Sequence, residues 1–127
     1  MSKAVLDASA ILAVIFTEPG AEKLTDEILD DSVASTVNLA EVQATLVRKG
    51  YEPDAAWEDA HSFVAPGDYT PAQAKAAGTL IRETSRLGLS LGDRSCLALA
   101  MALGADVYTT EKQWKNLKLG VAIHVIR

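Results

Sequence analysis

The chain has 127 residues, of which 49% are hydrophobic, 23% are charged and 6% are aromatic, and its formal net charge at pH 7 is −5. This size and composition are typical of a globular protein with a buried core, so we expect residues 1–127 to form a single domain rather than a disordered chain. The net acidity argues against a protein that holds nucleic acid by bulk charge, and the single cysteine, Cys96, excludes an internal disulfide or a thiolate metal cage.

The charge is unevenly distributed along the chain. Residues 1–60 carry 12 acids and 4 bases, whereas residues 61–127 carry 5 acids and 8 bases. This asymmetry allows a local basic rim around an acidic site. The longest apolar runs are well short of the roughly 20 residues that span a bilayer, and no basic leader precedes a cleavage site, so we expect a cytoplasmic protein without a membrane segment.

Strands and helices are predicted to alternate along the chain. Short apolar runs indicate strands, and apolar residues spaced three and four apart indicate helices. Strands are predicted over residues 4–7, 106–110 and 121–126, and a further short apolar stretch covers 33–35. Helices are predicted over residues 9–16 (a helix or turn), 21–31, 36–50, 53–64, 70–88, the later part of 89–105, and 111–117. This order favours the α/β class, with a mainly parallel sheet covered by helices on both faces.

Proline and glycine mark the predicted helix boundaries. Gly50 and Gly88 each follow a helical pattern, at the position that tolerates a left-handed backbone. Pro53 and Pro71 stand in the first turn of a predicted helix, where a missing N–H costs nothing. The run Glu18-Pro19-Gly20 is predicted to separate two helices.

Four acidic residues are candidates for one shared site. In open parallel sheets, ligands bind outside the carboxyl ends of the strands; Asp7 ends one predicted strand, and Glu111 follows another. Asp93 begins the apolar helix after Gly92, where the positive end of the helix favours an anion. Glu41 lies one turn into its helix, on the polar stripe rather than on the core face.

Each of these acids also has a purely structural explanation. Glu41 fits a capping box with Asn38, Asp93 could cap its own helix, and Glu111 is an ordinary acid of a first helical turn. Asp7 is the hardest to explain in this way. An ionised carboxylate at the end of a buried strand is costly unless it is paired, hydrogen-bonded or bound to a metal.

Carboxylates that converge repel one another and stay ionised only if a cation lies among them. Oxygen ligands select Mg²⁺ or Mn²⁺, and the two histidines, His61 and His124, lack a partner spacing and are interpreted as structural. A carboxylate-held ion beside a phosphodiester activates water and neutralises charge on the phosphate, which is nuclease chemistry. Ser9 and Thr109 are expected to hydrogen-bond a carboxylate or a metal-bound water.

Four blocks of the sequence resemble the motifs of PIN-domain ribonucleases, in particular the VapC toxins of bacterial toxin–antitoxin pairs. The blocks are VLDASAIL, STVNLAEV, LSLGDRSCLALA and DVYTTEKQW, and they occur in the expected order across the whole chain. The resemblance implies a three-layer α/β/α PIN-like fold and Mg²⁺- or Mn²⁺-dependent endonucleolytic cleavage of RNA. It also implies a homodimer and inhibition by a VapB-type antitoxin.

The resemblance places the metal-binding acids of the family on Asp7, Glu41 and Asp93, and the fourth acidic position on Glu111. The family usually has aspartate at that fourth position. The extra methylene of Glu111 suits a water-mediated or second-metal contact better than a fixed direct bond.

The resemblance also implies a groove that a C-terminal segment of the antitoxin crosses. The helices that carry Trp57 and Phe63, with the preceding acidic helix, are candidate walls of that groove, although both aromatic rings could equally pack in the core. An acidic centre needs cations nearby to hold a polyanion, and we predict that Arg94 and Lys112, beside the two later acids, contribute most to RNA binding.

Two other interpretations fit parts of the sequence. A haloacid-dehalogenase-like phosphatase would need a second aspartate where Ser9 stands, and a phosphoacceptor receiver would normally carry an acidic pair near the first strand and a late lysine, whereas Asp7 stands alone among alanines. The other interpretation is a catalytically inactive PIN-like protein-interaction module. A scaffold needs no cluster of like charges, so the presence of all four acidic positions argues against it.

Overall fold

A five-stranded parallel sheet lies at the centre of the computed structural model, which describes residues 3–127. Its strands are β1 (Ala4–Leu6), β2 (Ser32–Ser35), β3 (Ala65–Gly67), β4 (Asp106–Thr109) and β5 (Ile123–Val125). They are ordered β3-β2-β1-β4-β5, and every neighbouring pair is parallel. The carboxyl ends of β1 and β4 are therefore adjacent at the centre of one sheet edge.

Seven α-helices and three short 3₁₀ turns connect the strands within residues 3–127. The helices are α1 (Ala8–Ile15), α2 (Asp26–Asp30), α3 (Thr36–Arg48), α4 (Pro53–Ala60), α5 (Pro71–Thr79), α6 (Ile81–Thr84) and α7 (Leu91–Leu103). The 3₁₀ turns cover Ala21–Lys23, Ser85–Leu87 and Lys112–Asn116. None of these helices is long and apolar enough to cross a membrane.

Two hydrophobic clusters, one on each face of the sheet, create three layers. Alternate residues of a strand point to opposite faces, so Val5 packs in one cluster and Leu6 in the other. The cluster with Leu6 contains buried residues of α1, α3 and α4. The cluster with Val5 is built mainly by α7, with the fully buried Trp114 from the last 3₁₀ turn. The prediction of a parallel α/β/α fold is confirmed.

The predicted helix over residues 21–31 is wrong as a single element. It is divided into the 3₁₀ turn Ala21–Lys23 and the short α2, because Thr25 adopts an extended backbone and its side chain accepts a hydrogen bond from Ile28 N–H. A threonine in this conformation begins a new helix rather than continuing one.

The predicted long helix over residues 70–88 is also interrupted. It consists of α5, α6 and a 3₁₀ turn that ends at Gly88 in the left-handed conformation. Two side chains bond to carbonyls near the break: Arg94 Nη1 donates to Ala77 O at 2.8 Å, and Thr84 Oγ1 donates to Leu80 O at 2.8 Å. Such bonds compensate carbonyls at a helix end, so the helix can stop here without leaving them unsatisfied.

The edge strand β3 was not predicted from the sequence. Helix α4 ends at Ala60, four residues before the predicted boundary, and the strand follows at Ala65–Gly67. Pro66 and Gly67 both disfavour strands in sequence-based prediction. An edge strand tolerates proline because one of its sides needs no ladder hydrogen bonds.

Candidate active site

Asp7 lies at the junction of β1 and α1, next to the carboxyl end of β4. It is the N-cap of α1, and its residue is only 3% exposed. Its Oδ1 accepts hydrogen bonds from Ser9 Oγ at 2.7 Å and from Ala10 N–H at 2.8 Å, and its Oδ2 accepts one from Thr109 Oγ1 at 2.6 Å. Asp7 thus has three neutral donors, and no lysine, arginine or histidine of residues 3–127 forms an ion pair with it.

The two hydroxyl groups are oriented by the loop that follows β4. Thr110 N–H donates to Ser9 Oγ at 3.0 Å, and Glu111 N–H donates to Thr109 Oγ1 at 3.0 Å. Each hydroxyl has one proton, and the backbone donors direct that proton toward the Asp7 carboxylate. The contacts expected of Ser9 and Thr109 with a carboxylate are therefore present.

Burial disfavours the charged form of Asp7. Burial and, to a smaller extent, the negative charge of Asp93 raise the pKa of this carboxyl from 3.8 to about 6, against the opposing effect of the hydrogen bonds from Thr109, Ser9 and Ala10. An ionised Asp7 is consequently under-compensated by the chain itself. A bound cation would supply the missing compensation.

Glu41 reaches the amino-terminal end of α7 from the exposed side of α3. Asn38 Nδ2 donates to Glu41 Oε1 at 2.8 Å and to Gly92 O at 3.0 Å, so one amide group joins the carboxylate to the first turn of α7. The sequence-based alternative of a capping box between Asn38 and Glu41 is wrong. Helix α3 begins at Thr36, and Ser35 is its N-cap.

Asp93 does cap its own helix, as the structural alternative anticipated. Helix α7 begins at Leu91 rather than after Gly92, and its N-cap is Ser90. Asp93 Oδ2 accepts from Ser90 N–H at 2.9 Å, while Ser90 Oγ accepts from Asp93 N–H at 3.1 Å. A capping box uses one carboxylate oxygen, so this role does not occupy the whole side chain.

Asp7, Glu41 and Asp93 all lie near enough to Cys96 for their charges to act on its thiol. This thiol is fully buried, and its pKa is raised by burial first and then by the negative charges of Asp7, Asp93 and Glu41. Across residues 3–127, no three Asp, Glu, His or Cys side chains form a ready-made metal site. The donor chemistry nevertheless suits a hard divalent cation, because these three side chains offer only oxygen.

Glu111 lines a groove of about 410 Å³ that also contains Ser9, a hydrogen-bond partner of Asp7. Its backbone contacts Thr109, but its carboxylate accepts a weak hydrogen bond from Gln113 Nε2 at 3.3 Å. The groove is lined by Ser9, Leu12, Phe16, Glu18, Thr45, Lys49, Thr110, Glu111 and Arg127. The charge of Glu111 is not among those that raise the pKa of the Cys96 thiol.

The two cations that the sequence favoured differ in their surroundings. Arg94 is partly buried and bonds Ala77 O, which gives it a structural role between α7 and α5, whereas Lys112 is exposed. Lys49 and Arg127 line the groove beside Glu111. Their positions at the end of α3 and after β5 gave no sequence signal, since only the fold brings these two segments together.

The remaining predicted residues have local partners of their own. Trp57 and Phe63 are partly buried and pack against the core cluster that contains Leu6. His124 pairs with Asp106 at 2.9 Å and stacks on Tyr108, and His61 lies next to Trp57.

Thr109→Val tests whether the hydroxyl supports the Asp7 carboxylate. The valine leaves Asp7 Oδ2 and Glu111 N–H without this partner in a buried place, so we expect unfolding to become easier by about 1–2 kcal/mol. The pKa of Asp7 should rise, and affinity for Mn²⁺ should fall more at pH 6 than at pH 8. Urea unfolding and calorimetric Mn²⁺ titration measure both effects.

Thr110→Val is the matched control, because no hydrogen bond of the Thr110 side chain is found within the described chain while its backbone N–H is retained. Equal behaviour of the two valine variants would contradict the role given to the Thr109 hydroxyl.

The PIN domain family matches residues 4–119 of this chain. Among curated proteins, none matches the sequence significantly.

Solved structures with the same fold include several toxin–antitoxin complexes. VapBC2 from Rickettsia felis, bound to a DNA fragment from its promoter, is 19% identical, with 95% of this chain and 96% of that chain covered and a TM-score of 0.72. DNA-bound VapBC from Salmonella typhimurium is 20% identical, with 98% of each chain covered and a TM-score of 0.74. A toxin–antitoxin complex from Klebsiella pneumoniae is 17% identical, with 94% and 96% covered and a TM-score of 0.76. At these identities the likeness concerns the fold.

Proposed function

Because this chain belongs to the PIN domain family, a family of nucleases, we propose that it is a metal-dependent endoribonuclease and the VapC-type toxin of a toxin–antitoxin pair. The observation that carries the proposal is Asp7, a buried carboxylate without a basic partner at the carboxyl edge of the sheet. Structural neighbours that are VapBC complexes support the toxin assignment.

Asp7, Glu41 and Asp93 would hold Mg²⁺ or Mn²⁺, and Glu111 would act through a water molecule or a second ion. When bound, such an ion lowers the pKa of a water molecule and neutralises charge that develops on a phosphodiester. The fit rests on side chains that offer only oxygen and on Asp7, a buried carboxylate whose hydrogen-bond donors are all neutral.

The protein side chains have separate tasks in this proposal. Ser9 and Thr109 hold Asp7 in one orientation through their directed protons. Glu41 is exposed and Asp93 half-buried, so the site is open to a polymeric substrate on the side of α3 and α7. Lys49, in the groove beside Glu111, is a candidate for phosphate contacts together with Lys112, whereas Arg127 of the same groove is paired with Glu18 at 3.1 Å.

The partner that fits this function is a VapB-like antitoxin. The neighbours of the same fold are complexes of toxin with antitoxin, which supports such a partner here. A homodimer in the cytoplasm belongs to the same proposal. The catalytically inactive interaction module gains no specific support from the geometry, because serine, threonine or asparagine could cap α1 in place of Asp7 without burying a charge.

Metal titration separates a nuclease from an inert scaffold. At a free Mn²⁺ concentration of about 100 times Kd, the free energy of unfolding should rise by about 2.7 kcal/mol and Tm by on the order of 10 °C. Excess EDTA should reverse the change. Scanning calorimetry with and without Mn²⁺ measures the shift, and the absence of both binding heat and a rise in Tm would favour the inactive module.

A further inference from the structure

Gly92, in the first turn of α7, lies directly against the carboxylate of Glu41. A Cβ atom at this position would come within 3.0 Å of Glu41 Cδ, Oε1 and Oε2, closer than real Cβ atoms approach other groups. Gly92 is buried and is not among the glycines with a positive φ, so its backbone does not require glycine. The reason for glycine here is space for the carboxylate.

Asn38 fixes the carboxylate in that space. Its residue is 1% exposed, and its Nδ2 bridges Glu41 Oε1 and Gly92 O. One amide thus joins α3, the carboxylate and the first turn of α7. Because Asp93 follows Gly92 directly, the bridge holds Glu41 beside a second acid of the site.

We propose that Gly92 and Asn38 are positioning residues, which together form a seat that holds the Glu41 carboxylate beside Asp93 for metal binding. The inference rests on the proposed function, since it assigns a purpose to the place where Glu41 is held. Neither residue touches substrate in this proposal. Each acts through Glu41.

Gly92→Ala removes the seat at little cost to the fold. Alanine has a higher helix propensity than glycine by about 1 kcal/mol, and the atoms that it displaces belong to the end of a flexible, exposed side chain. We therefore expect unchanged or higher stability, together with a loss of Mn²⁺ affinity of about 10-fold or more, the range seen when groups that orient metal ligands are removed.

Gly78→Ala is the matched control. Gly78 lies in α5, and a Cβ there meets nothing within 4 Å. Both variants should melt at or above the temperature of the wild type, whereas only Gly92→Ala should lose affinity in a calorimetric Mn²⁺ titration. Equal Mn²⁺ affinity in Gly92→Ala and wild type would overturn the proposal.

Shortening the side chain of Glu41 distinguishes a direct steric conflict with the new Cβ of Gly92→Ala from a general structural defect. In Gly92→Ala the Cβ and the longer carboxylate compete for one space, and Glu41→Asp withdraws the carboxylate by one methylene. The double variant should bind Mn²⁺ more tightly than the product of the two single losses predicts, by about 5-fold or more, because residues in contact are not additive. Strictly additive losses would overturn the proposal.

The Mn²⁺ titration of the wild type separates a failure of the proposed nuclease function from a failure of the role given to Gly92 and Asn38. If wild type binds Mn²⁺ and Gly92→Ala binds it equally well, the seat is wrong and the proposed nuclease stands. If wild type binds no Mn²⁺, the proposed function fails, and the inference on Glu41 fails with it.

Discussion

Asp7→Asn should abolish metal-dependent RNA cleavage. The substitution keeps the size of the side chain and removes the one buried negative charge of residues 3–127, so the proposed cation would lose a ligand. We expect a fall in rate of at least about 100-fold, beyond the ~10–100-fold cost of removing an outer partner of a metal ligand. Cleavage of a mixed RNA pool by purified, antitoxin-free protein with Mn²⁺ or Mg²⁺ measures this, with an EDTA control.

Asp30→Asn is the matched control, because it makes the same chemical change at an exposed position outside the proposed site. Asp30 is exposed at the end of α2, shortly before the start of β2, and therefore lies at the amino edge of the sheet, away from the site. Its cleavage should equal that of wild type. Cuts that persist in Asp7→Asn, with the same pattern and metal dependence, would show that another site or a contaminant is responsible.

The same substitution should stabilise the metal-free protein. The pKa of Asp7 is about 6 in the folded chain and 3.8 at its ordinary value, so the folded state binds this proton more tightly than the unfolded state does. Ionisation of Asp7 therefore opposes folding above pH 6, by on the order of 3 kcal/mol, and this cost disappears as pH falls toward 3.8. Asparagine cannot ionise, and its amide must rearrange the hydrogen bond from Thr109, which offsets part of the gain.

We expect Asp7→Asn to exceed wild type by about 1–3 kcal/mol at pH 8 in EDTA, with the difference shrinking as pH falls from 7 to 4. Urea unfolding at pH 4.5, 6 and 8 gives the difference at each pH, and Asp30→Asn shows the effect of removing a carboxylate that is exposed. Mn²⁺ should reverse the order by stabilising only wild type and Asp30→Asn. An Asp7→Asn protein that is no more stable than wild type at pH 8 would show that the buried carboxylate is well compensated by its three hydrogen bonds.

Both predictions follow from one opposition, between metal binding by Asp7 and the stability of the metal-free protein. A carboxylate that binds a cation strongly must be poorly satisfied without it, and Asp7 combines burial with neutral donors only. Function and metal-free stability are consequently expected to change in opposite directions at this residue. At Gly92 they are also expected to diverge, although there the cause is space rather than charge.

Local signals determined much of this protein from its sequence. The apolar run before Asp7, the helical spacing after Ser35, and the prolines and glycines at helix ends depend on neighbours within a few residues, and they predicted the α/β class and four of the five strands or their apolar cores. The same local signals did not predict the helix breaks at Thr25 and Leu80 or the strand β3. There the outcome depends on side chains that cap or bond a neighbouring element, or on a place at the sheet edge.

Only the tertiary structure decided which polar groups meet. The order of the strands brings Thr109 to Asp7 across more than a hundred residues, and the packing of α3 against α7 places Glu41 on Gly92. It also places Glu111 in the groove that Ser9 lines and occupies Arg94 with a structural bond. Sequence spacing carries no information on such contacts, because residues far apart in the chain become neighbours only when the sheet and its two helical layers close around a common core.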